Sequence, residues 1–160
     1  MEKTEGKIKS IAEAKETVGV WQKQNEKVVF TNGCFDLLHL GHVDYLEKAR
    51  AKGDHLVIGL NTDDSVSRFK GPERPLQDQY SRARILAALQ FVDLVVFFNE
   101  DTPLNLIAEL VPDVLVKGSD YLAENIVGAN VVKKAGGKVE TIDFVPGYST
   151  TRIVEKIKRT

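Results

Sequence analysis

The chain has 160 residues, of which 42% are hydrophobic and 28% charged, with a formal net charge of -1 at pH 7. This size and apolar content fit one domain, residues 1–160, around a single core. The near-neutral charge gives no global basic field, so no nucleic-acid partner is expected. No apolar run is long enough to span a bilayer, no leader follows Met1, and one cysteine cannot form an internal disulfide. We therefore expect a cytoplasmic protein without a membrane partner.

The N-terminal segment carries apolar residues between positions 8 and 24 at an imperfect helical spacing that ends before Asn25. We predict that residues 1–26 supply a packing helix. Trp21 could stack on a base, but an aromatic residue on the apolar side of such a helix belongs more often to the core, where we expect it.

A strand, a glycine turn and a helix start follow at residues 28 to 51. Residues 28–30 are apolar, Gly33 permits a tight turn, and a helical pattern runs from residue 43 to 51. A helix start offers unpaired N–H groups and the positive end of the helix dipole, so this junction is typical of a phosphate site. His39 and His42, three residues apart, would add two donors on one face.

Two helical histidines are, by themselves, more often a metal pair or solvated side chains. The preceding strand and glycine turn favour phosphate binding instead. Gly41, between His39 and His42, leaves room for a ligand to approach the backbone.

Four further strands alternate with helical patterns along the rest of the chain. The expected fold is therefore α/β, a Rossmann-like, doubly wound parallel sheet of five strands with helices on both faces. Ligands bind such sheets at the carboxyl ends of the strands. The predicted strands after the first are residues 55–60, 92–98, 114–116 and 138–144.

Residues 67–79 combine glycine, proline and basic side chains without periodicity, which predicts a mobile loop. Lys70 and Arg74 could reach a triphosphate from it, although a solvated surface loop would have a similar composition. Arg82 lies in the first turn of the predicted helix 79–91, where its charge opposes the dipole. An acid or a phosphate partner is therefore expected.

Two more segments lie at the edge of the sheet where the carboxyl ends of the parallel strands lead into loops. Lys117, Gly118 and Asp120 follow the strand 114–116, and the alternative is an ordinary turn with a lysine. Ser149 or Thr150 would cap a closing helix, whose start could also contact phosphate.

The residues Gly33, Phe35, Asp36, His39, Gly41 and His42 resemble the signature of the nucleotidyltransferase superfamily that includes glycerol-3-phosphate cytidylyltransferase and the class I aminoacyl-tRNA synthetases. A longer resemblance covers nearly the whole chain and points to the heptose-1-phosphate adenylyltransferases. It rests on residues 29–36, the Lys70-Gly71 pair, the helix with Arg82, residues 116–121 and residues 149–151.

This resemblance implies transfer of AMP from ATP to D-glycero-β-D-manno-heptose 1-phosphate, with Mg²⁺, giving ADP-heptose for lipopolysaccharide or a related glycan. The implied catalytic residues are His39, His42, Lys70 and Arg82, and no protein ligand for a metal is assigned, although Asp36 would orient the turn or approach the metal. The implied nucleotide-binding residues are Thr31, Asn32, Gly33, Phe35, Asp36, Gly41, Lys117, Gly118, Asp120, Ser149 and Thr150.

The resemblance also implies partners. The domain is often fused to a sugar kinase, which this chain lacks, so we expect a free-standing transferase that relies on a separate heptose kinase and forms a homodimer or higher homo-oligomer. Three alternatives remain: a cytidylyltransferase acting on glycerol 3-phosphate or another polyol phosphate, a non-catalytic nucleotide-binding module, and a DNA-binding role, which the composition does not favour.

Overall fold

Six parallel strands form one sheet in the computed structural model, which describes residues 3–160. The strand order is β1-β4-β3-β2-β5-β6, and every neighbouring pair is parallel. The strands are β1 (Ile8–Lys9), β2 (Val28–Gly33), β3 (His55–Asn61), β4 (Leu94–Phe98), β5 (Val114–Gly118) and β6 (Lys138–Ile142).

Helices cover both faces of this sheet. Side chains of α2 and α4 belong to the hydrophobic cluster on one face, and those of α1, α5 and α6 to the cluster on the other. The predicted α/β doubly wound fold is therefore confirmed. The helices are α1 (Ile11–Lys23), α2 (Leu40–Arg50), α3 (Asp63–Lys70), α4 (Gln79–Ala87), α5 (Leu104–Leu110), α6 (Ala129–Lys134) and α7 (Thr150–Arg159), with short 3-10 turns at Thr4–Lys7 and Ala123–Asn125.

The sheet has one strand more than the five that we predicted. Residues 8 and 9, which we assigned to the N-terminal helix, pair with residues 95 and 96 of β4 as a short edge strand. The helix begins only after Ser10, whose hydroxyl accepts a hydrogen bond from the Glu13 N–H while the Glu13 carboxylate accepts one from the Ser10 N–H. This capping box is visible in the sequence and marks the true helix start. Met1 and Glu2 of the predicted segment lie outside the described residues.

Trp21 packs where we expected it, away from the carboxyl ends of the strands. Its ring stacks on that of His55, with centroids 3.8 Å apart, and it contacts the cluster beneath α1 and α5. Because His55 is the first residue of β3, this stack lies at the amino ends of the strands.

The prediction of a loop was wrong for residues 67–70. Residues 67–70 form the last turn of α3, a helix that Thr62 caps, and are not part of a loop. The helix is so short that it buries a single apolar side chain, that of Val66. Such a helix leaves no periodicity to detect.

A buried arginine joins the carboxyl ends of two strands. Arg82 is 1% exposed, and its Nη1 donates hydrogen bonds to the main-chain oxygens of Cys34 (2.7 Å) and Asn61 (2.9 Å). Its Nη2 donates to Asp63 Oδ1 (2.7 Å) and its Nε to the Gln77 oxygen (3.0 Å). The expected acidic partner is therefore Asp63, at the start of α3.

We predict that Arg82→Met lowers the free energy of unfolding by about 3 to 5 kcal/mol, because it removes a charge-assisted network and leaves buried carbonyl oxygens without donors. Urea unfolding followed by circular dichroism measures this loss.

The matched control is Arg84→Met on the same helix. Arg84 contacts Thr4 and Glu5 at the surface, where ion pairs contribute little. Equal losses for the two variants would contradict the central role of the Arg82 network.

Candidate active site

A cleft lies at the carboxyl ends of the strands and consists of two adjoining cavities of about 190 Å³ and about 650 Å³. The smaller cavity extends toward α2, α7 and the loop after β5, and the larger one toward β3, β4 and the segment before α5. The residues that line both are Asn32, Gly33, Cys34, Lys70, Lys117, Tyr121 and Phe144.

The two histidines form a stacked pair at the start of α2. His39 is the N-cap residue, and its ring lies 3.8 Å from that of His42, centroid to centroid, at an interplanar angle of 22°. A Cβ on Gly41 would approach the His39 ring to 3.0 Å, so glycine at this position permits the stack. The Phe35 ring meets His42 edge-on at 5.3 Å, and Phe35 itself has a left-handed φ of 46°. A strained residue of this kind is common at functional sites.

This helix start has the free donors that an anion requires. No side chain caps α2, so its first N–H groups lack the partners that a capping side chain would supply. The Nδ1 atoms of His39 and His42 are buried and have no hydrogen-bond partner within residues 3–160. Because these atoms are buried, the donors that this helix start offers to a ligand are its first N–H groups.

Burial keeps the histidine pair uncharged. It lowers the pKa of His42 from 6.5 to about 4, with smaller contributions from His39 and the Lys70 charge, and it also lowers the pKa of His39. At neutral pH each ring is therefore uncharged and carries one N–H donor. The cationic groups of the cleft are the lysines.

Two lysines line both cavities. Lys70 is the last residue of α3 and is exposed. Lys117 is half-buried at the end of β5, where its Nζ donates to the Asn32 oxygen (3.4 Å) and lies 5.4 Å from the centre of the Tyr121 ring. Burial lowers the pKa of Lys117. A negatively charged ligand would stabilise the charged form of this ammonium and so offset the hydration that burial removes.

The Asp36 carboxylate is buried in the protein and already has protein hydrogen-bond partners. Its residue is 3% exposed, and its two oxygens accept hydrogen bonds from the N–H groups of Leu76 and Gln77 and from Arg74 Nε. The two roles that we considered for Asp36, orientation of the turn and an approach to a metal, stay predictions.

The cleft residues fit a metal that arrives with the nucleotide. No group of three His, Cys, Asp or Glu side chains is arranged to hold a metal ion anywhere in the described chain. Mg²⁺ is commonly held by one or two carboxylates, substrate phosphates and water. Asp120, an exposed carboxylate on the wall of the smaller cavity, would be available to it.

Most of the predicted site residues converge on this cleft. His39 and Gly41 line neither cavity, but the His39 ring stacks on that of His42, and Gly41 leaves room for this stack. Those that line the smaller cavity are Asn32, Gly33, Phe35, Asp36, His42, Lys70, Lys117, Gly118, Asp120 and Thr150.

Three further predicted residues, besides His39 and Gly41, line neither cavity. Thr31 is fully buried in β2, where its hydroxyl lies 2.8 Å from that of Tyr45. Arg82 lies behind the cleft with protein partners for its guanidinium. Ser149 caps α7 by accepting a hydrogen bond from the Arg152 N–H (3.2 Å), as one of our two cap assignments expected. Their contacts with substrate stay predictions.

Sequence reasoning missed several aromatic residues of the cleft. Phe144 follows β6 and lies so close to Gly118 that a Cβ there would meet its ring at 2.2 Å. Phe69 and Tyr121 are exposed beside it. Their positions after strands or at a helix end were the available signal, but exposed aromatic residues have no periodicity to mark them. Cys34 is buried, and burial raises the pKa of its thiol, which disfavours a nucleophilic thiolate.

Residues 30–156 match the sequence profile described as cytidylyltransferase-like. The chain belongs to the cytidylyltransferase-like family. This match covers the whole cleft, from the end of β2 into α7, and confirms the recognition of a nucleotidyltransferase that the residues around the histidine pair suggested.

Curated relatives of this family member include the bifunctional protein HldE of Magnetococcus marinus, 59% identical over 151 residues that make up 94% of this chain and 31% of that protein. The bifunctional protein HldE of Citrifermentans bemidjiense is 56% identical over 154 residues, 96% of this chain and 32% of its own. The chain therefore spans about a third of the length of these relatives.

Solved structures show the same fold. A lipopolysaccharide core biosynthesis protein from Thermoplasma volcanium is 29% identical, with a TM-score of 0.59 over 75% of this chain and 97% of that one. Pantoate-beta-alanine ligase from Francisella tularensis is 16% identical, with a TM-score of 0.60 over 96% and 78% of the two chains, and shows the fold alone. Along residues 3–160, no helix has both the length and the apolar character needed to cross a bilayer.

We predict that His42 titrates near pH 4 in the free protein, against the ordinary value of 6.5, and that ATP raises its pKa because phosphate charge favours the protonated ring. Below pH 6.5 the unfolded chain takes up a proton that the folded chain refuses, so this histidine makes stability fall as the pH drops from 6.5 towards 4. Nucleotide affinity should rise as the pH falls from the pKa of His42 in the nucleotide complex to its lower pKa in the free protein.

Nuclear magnetic resonance of the ring protons, with and without ATP, measures both values. A midpoint near 6.5 in the free protein would contradict the buried, neutral pair. An unchanged midpoint with ATP bound would show that His42 does not lie next to the phosphates.

Proposed function

We propose that the chain transfers AMP from ATP to D-glycero-β-D-manno-heptose 1-phosphate, giving ADP-heptose and pyrophosphate. The observation that carries this proposal is the uncapped start of α2 with its neutral histidine pair, in a cleft that Lys70 and Lys117 also line. The relatives named HldE and the lipopolysaccharide protein support the sugar assignment, together with the resemblance of residues 29–36 to heptose-1-phosphate adenylyltransferases.

The proposed reaction needs no covalent intermediate on the protein. An oxygen of the sugar phosphate attacks the α-phosphorus of ATP, the bond from that phosphorus to the bridging oxygen breaks, and pyrophosphate leaves with the electron pair. The acceptor is already an anion, so no general base has to activate it. Alignment and charge stabilisation are then the main contributions of the protein.

The cleft supplies donors and cations for this transfer. His39 and His42, with the first N–H groups of α2, would donate to phosphate oxygens on which charge develops. Lys70 and Lys117 would balance the charge of the departing pyrophosphate. Mg²⁺ held by the phosphates and Asp120 would neutralise further charge. Arg82 would contribute by holding the ends of β2 and β3 in place.

The domain organisation and partners belong to the same proposal. Residues 1–160 would act as one nucleotidyltransferase domain in the cytoplasm, with residues 1–26 as its N-terminal packing segment. The HldE relatives are bifunctional and about three times as long, which supports a sugar kinase as the partner activity that supplies the acceptor. Assembly into a homodimer or higher homo-oligomer stays part of the proposal.

A pyrophosphate-release screen of the four nucleoside triphosphates against sugar and polyol phosphates tests the substrate assignment. We expect kcat/KM for ATP to exceed that for CTP by at least about tenfold, which is roughly 1.4 kcal/mol of differential transition-state binding. Heptose 1-phosphate should be preferred to glycerol 3-phosphate, because a shorter polyol leaves buried polar groups unpaired.

A second function is favoured by the family description, which is cytidylyltransferase-like. A preference for CTP with glycerol 3-phosphate would support that function and refute heptose adenylyl transfer. It would leave the phosphate-binding role of the cleft standing.

We predict that His42→Ala lowers kcat by about 10² to 10³, since a donor aimed at transition-state charge contributes about 3 to 4 kcal/mol. Single-turnover kinetics on the folded variant measures the effect. The matched control is His55→Gln, which alters the histidine at the amino end of β3 and should leave kcat unchanged. Wild-type kcat in folded His42→Ala would exclude the proposed role of His42.

A further inference from the structure

We propose that Asp36 is a positioning residue that sets the place of Lys70 through Arg74. The Asp36 carboxylate and its three donors, Arg74 Nε and the N–H groups of Leu76 and Gln77, are called the Asp36 latch. The proposal rests on the proposed function in one respect, because it takes Lys70 as the group that meets the phosphates of a bound nucleotide.

The latch is fully formed. Asp36 Oδ1 accepts hydrogen bonds from Leu76 N and Gln77 N, both at 2.9 Å. Asp36 Oδ2 accepts from Arg74 Nε at 3.0 Å and from Leu76 N at 2.8 Å. Because these contacts occupy both oxygens of a carboxylate that is 3% exposed, its direct action on a ligand would require the latch to open.

The latch joins two parts of the cleft. Asp36 precedes His39 by three residues, and its main-chain oxygen accepts a hydrogen bond from Gln77 Nε2 (2.7 Å). Arg74 is also tied to α3, since its main-chain oxygen accepts from the Ser67 hydroxyl (2.5 Å). The segment before α4 is therefore bonded to the turn that begins the histidine motif and to the helix that ends at Lys70.

The residues between Arg74 and Lys70 form a tight turn. The Arg74 N–H donates to the Gly71 oxygen at 3.1 Å, which closes a four-residue turn with Pro72 at its second position. Proline restricts the backbone at that position, and Gly71 has a φ of +100° that other residues rarely adopt. A turn of this kind would transmit the position of Arg74 to Lys70. The mobility that we predicted for residues 67–79 stays a prediction.

Lys70 has few contacts that could position it directly. It is exposed, it lines both cavities, and no carboxylate within the described residues forms a salt bridge with it. Its ammonium lies 5.9 Å from the ring of the neighbouring Phe69. The direction of this charge therefore depends on the backbone at the end of α3, which is what the latch and the turn control.

A double-mutant cycle between Asp36 and Lys70 tests the proposal. Asp36→Asn places an amide group where Arg74 needs an acceptor, and we expect kcat/KM to fall by at least about tenfold, since a misplacement of about 1 Å can cost up to a hundredfold. In a Lys70→Ala background the same change should cost less than about twofold, because coupled residues are not additive. Equal factors in the two backgrounds would overturn the proposal.

Hydrogen exchange supplies a readout that does not depend on turnover. In Asp36→Asn the amides of residues 71–77 should exchange faster, while those of α2 keep their wild-type protection. Faster exchange throughout α2 would show that Asp36 supports the fold in general and would overturn a specific role toward Lys70.

Arg74→Met is the second variant, in case Asp36→Asn fails to fold. It removes one donor and leaves Leu76 and Gln77 on the carboxylate, so we expect a smaller loss with the same dependence on Lys70. The control is Glu73→Gln in the same turn, an exposed side chain that takes no part in the latch and should leave kcat/KM unchanged.

The cycle is measured with whichever triphosphate and acceptor the wild-type protein uses, which separates the two proposals. If the protein uses CTP, heptose adenylyl transfer fails while the cycle still decides the role of the latch. If no acceptor in the panel reacts, the dissociation constants of magnesium-bound ATP and CTP from calorimetry give the same cycle, and non-additive changes support the latch. Failure of both nucleotides to bind would overturn both proposals.

Discussion

The Arg82 guanidinium is buried where the ends of β2 and β3 meet the start of α3, and the shape of the cleft depends on it. It bonds to the Cys34, Asn61 and Gln77 oxygens and to the Asp63 carboxylate. Parallel strands leave main-chain oxygens unpaired where they end, and a buried oxygen without a donor is costly. A planar group with five donors can satisfy several such oxygens at once. Arg82 thereby connects the ends of β2 and β3 with the start of α3 and the segment before α4.

In the cleft, hydrogen-bond donation and positive charge come from different residues. Its donors are the start of α2 and a histidine pair that burial keeps neutral, whereas its cations are lysines on α3 and β5. Donors that carry no charge can be buried close together without mutual repulsion, and their orientation is set before the ligand arrives. In the proposed function, the lysines would then provide the attraction for an anion. Asp36 links the two groups, because it lies in the histidine turn and bonds to the segment that follows Lys70.

Local sequence predicted the fold class and most of the cleft, and its errors have specific causes. Periodicity identified the five longer strands, but it cannot detect a two-residue edge strand such as β1, whose formation depends on pairing with β4. The short helix α3 buries too little to show a period, so its last turn was predicted as loop. Thr31 follows the strand residues that we recognised, and it belongs to the strand interior, bonded to Tyr45. Phe144 was missed because only the packing over Gly118 brings it to the cleft.

By itself, the sequence determined the strand, glycine turn and helix start, the histidine motif on it and the parallel α/β order, because these follow from hydrophobic spacing and backbone preferences within a few residues. The tertiary structure alone decided the hydrogen-bond partners of Arg82 and Asp36. Their partners lie 48 residues away at Cys34 and 40 residues away at Leu76. Whether a charged side chain faces a ligand or the protein depends on which distant backbone groups need partners, and that is settled only when the strands pack side by side.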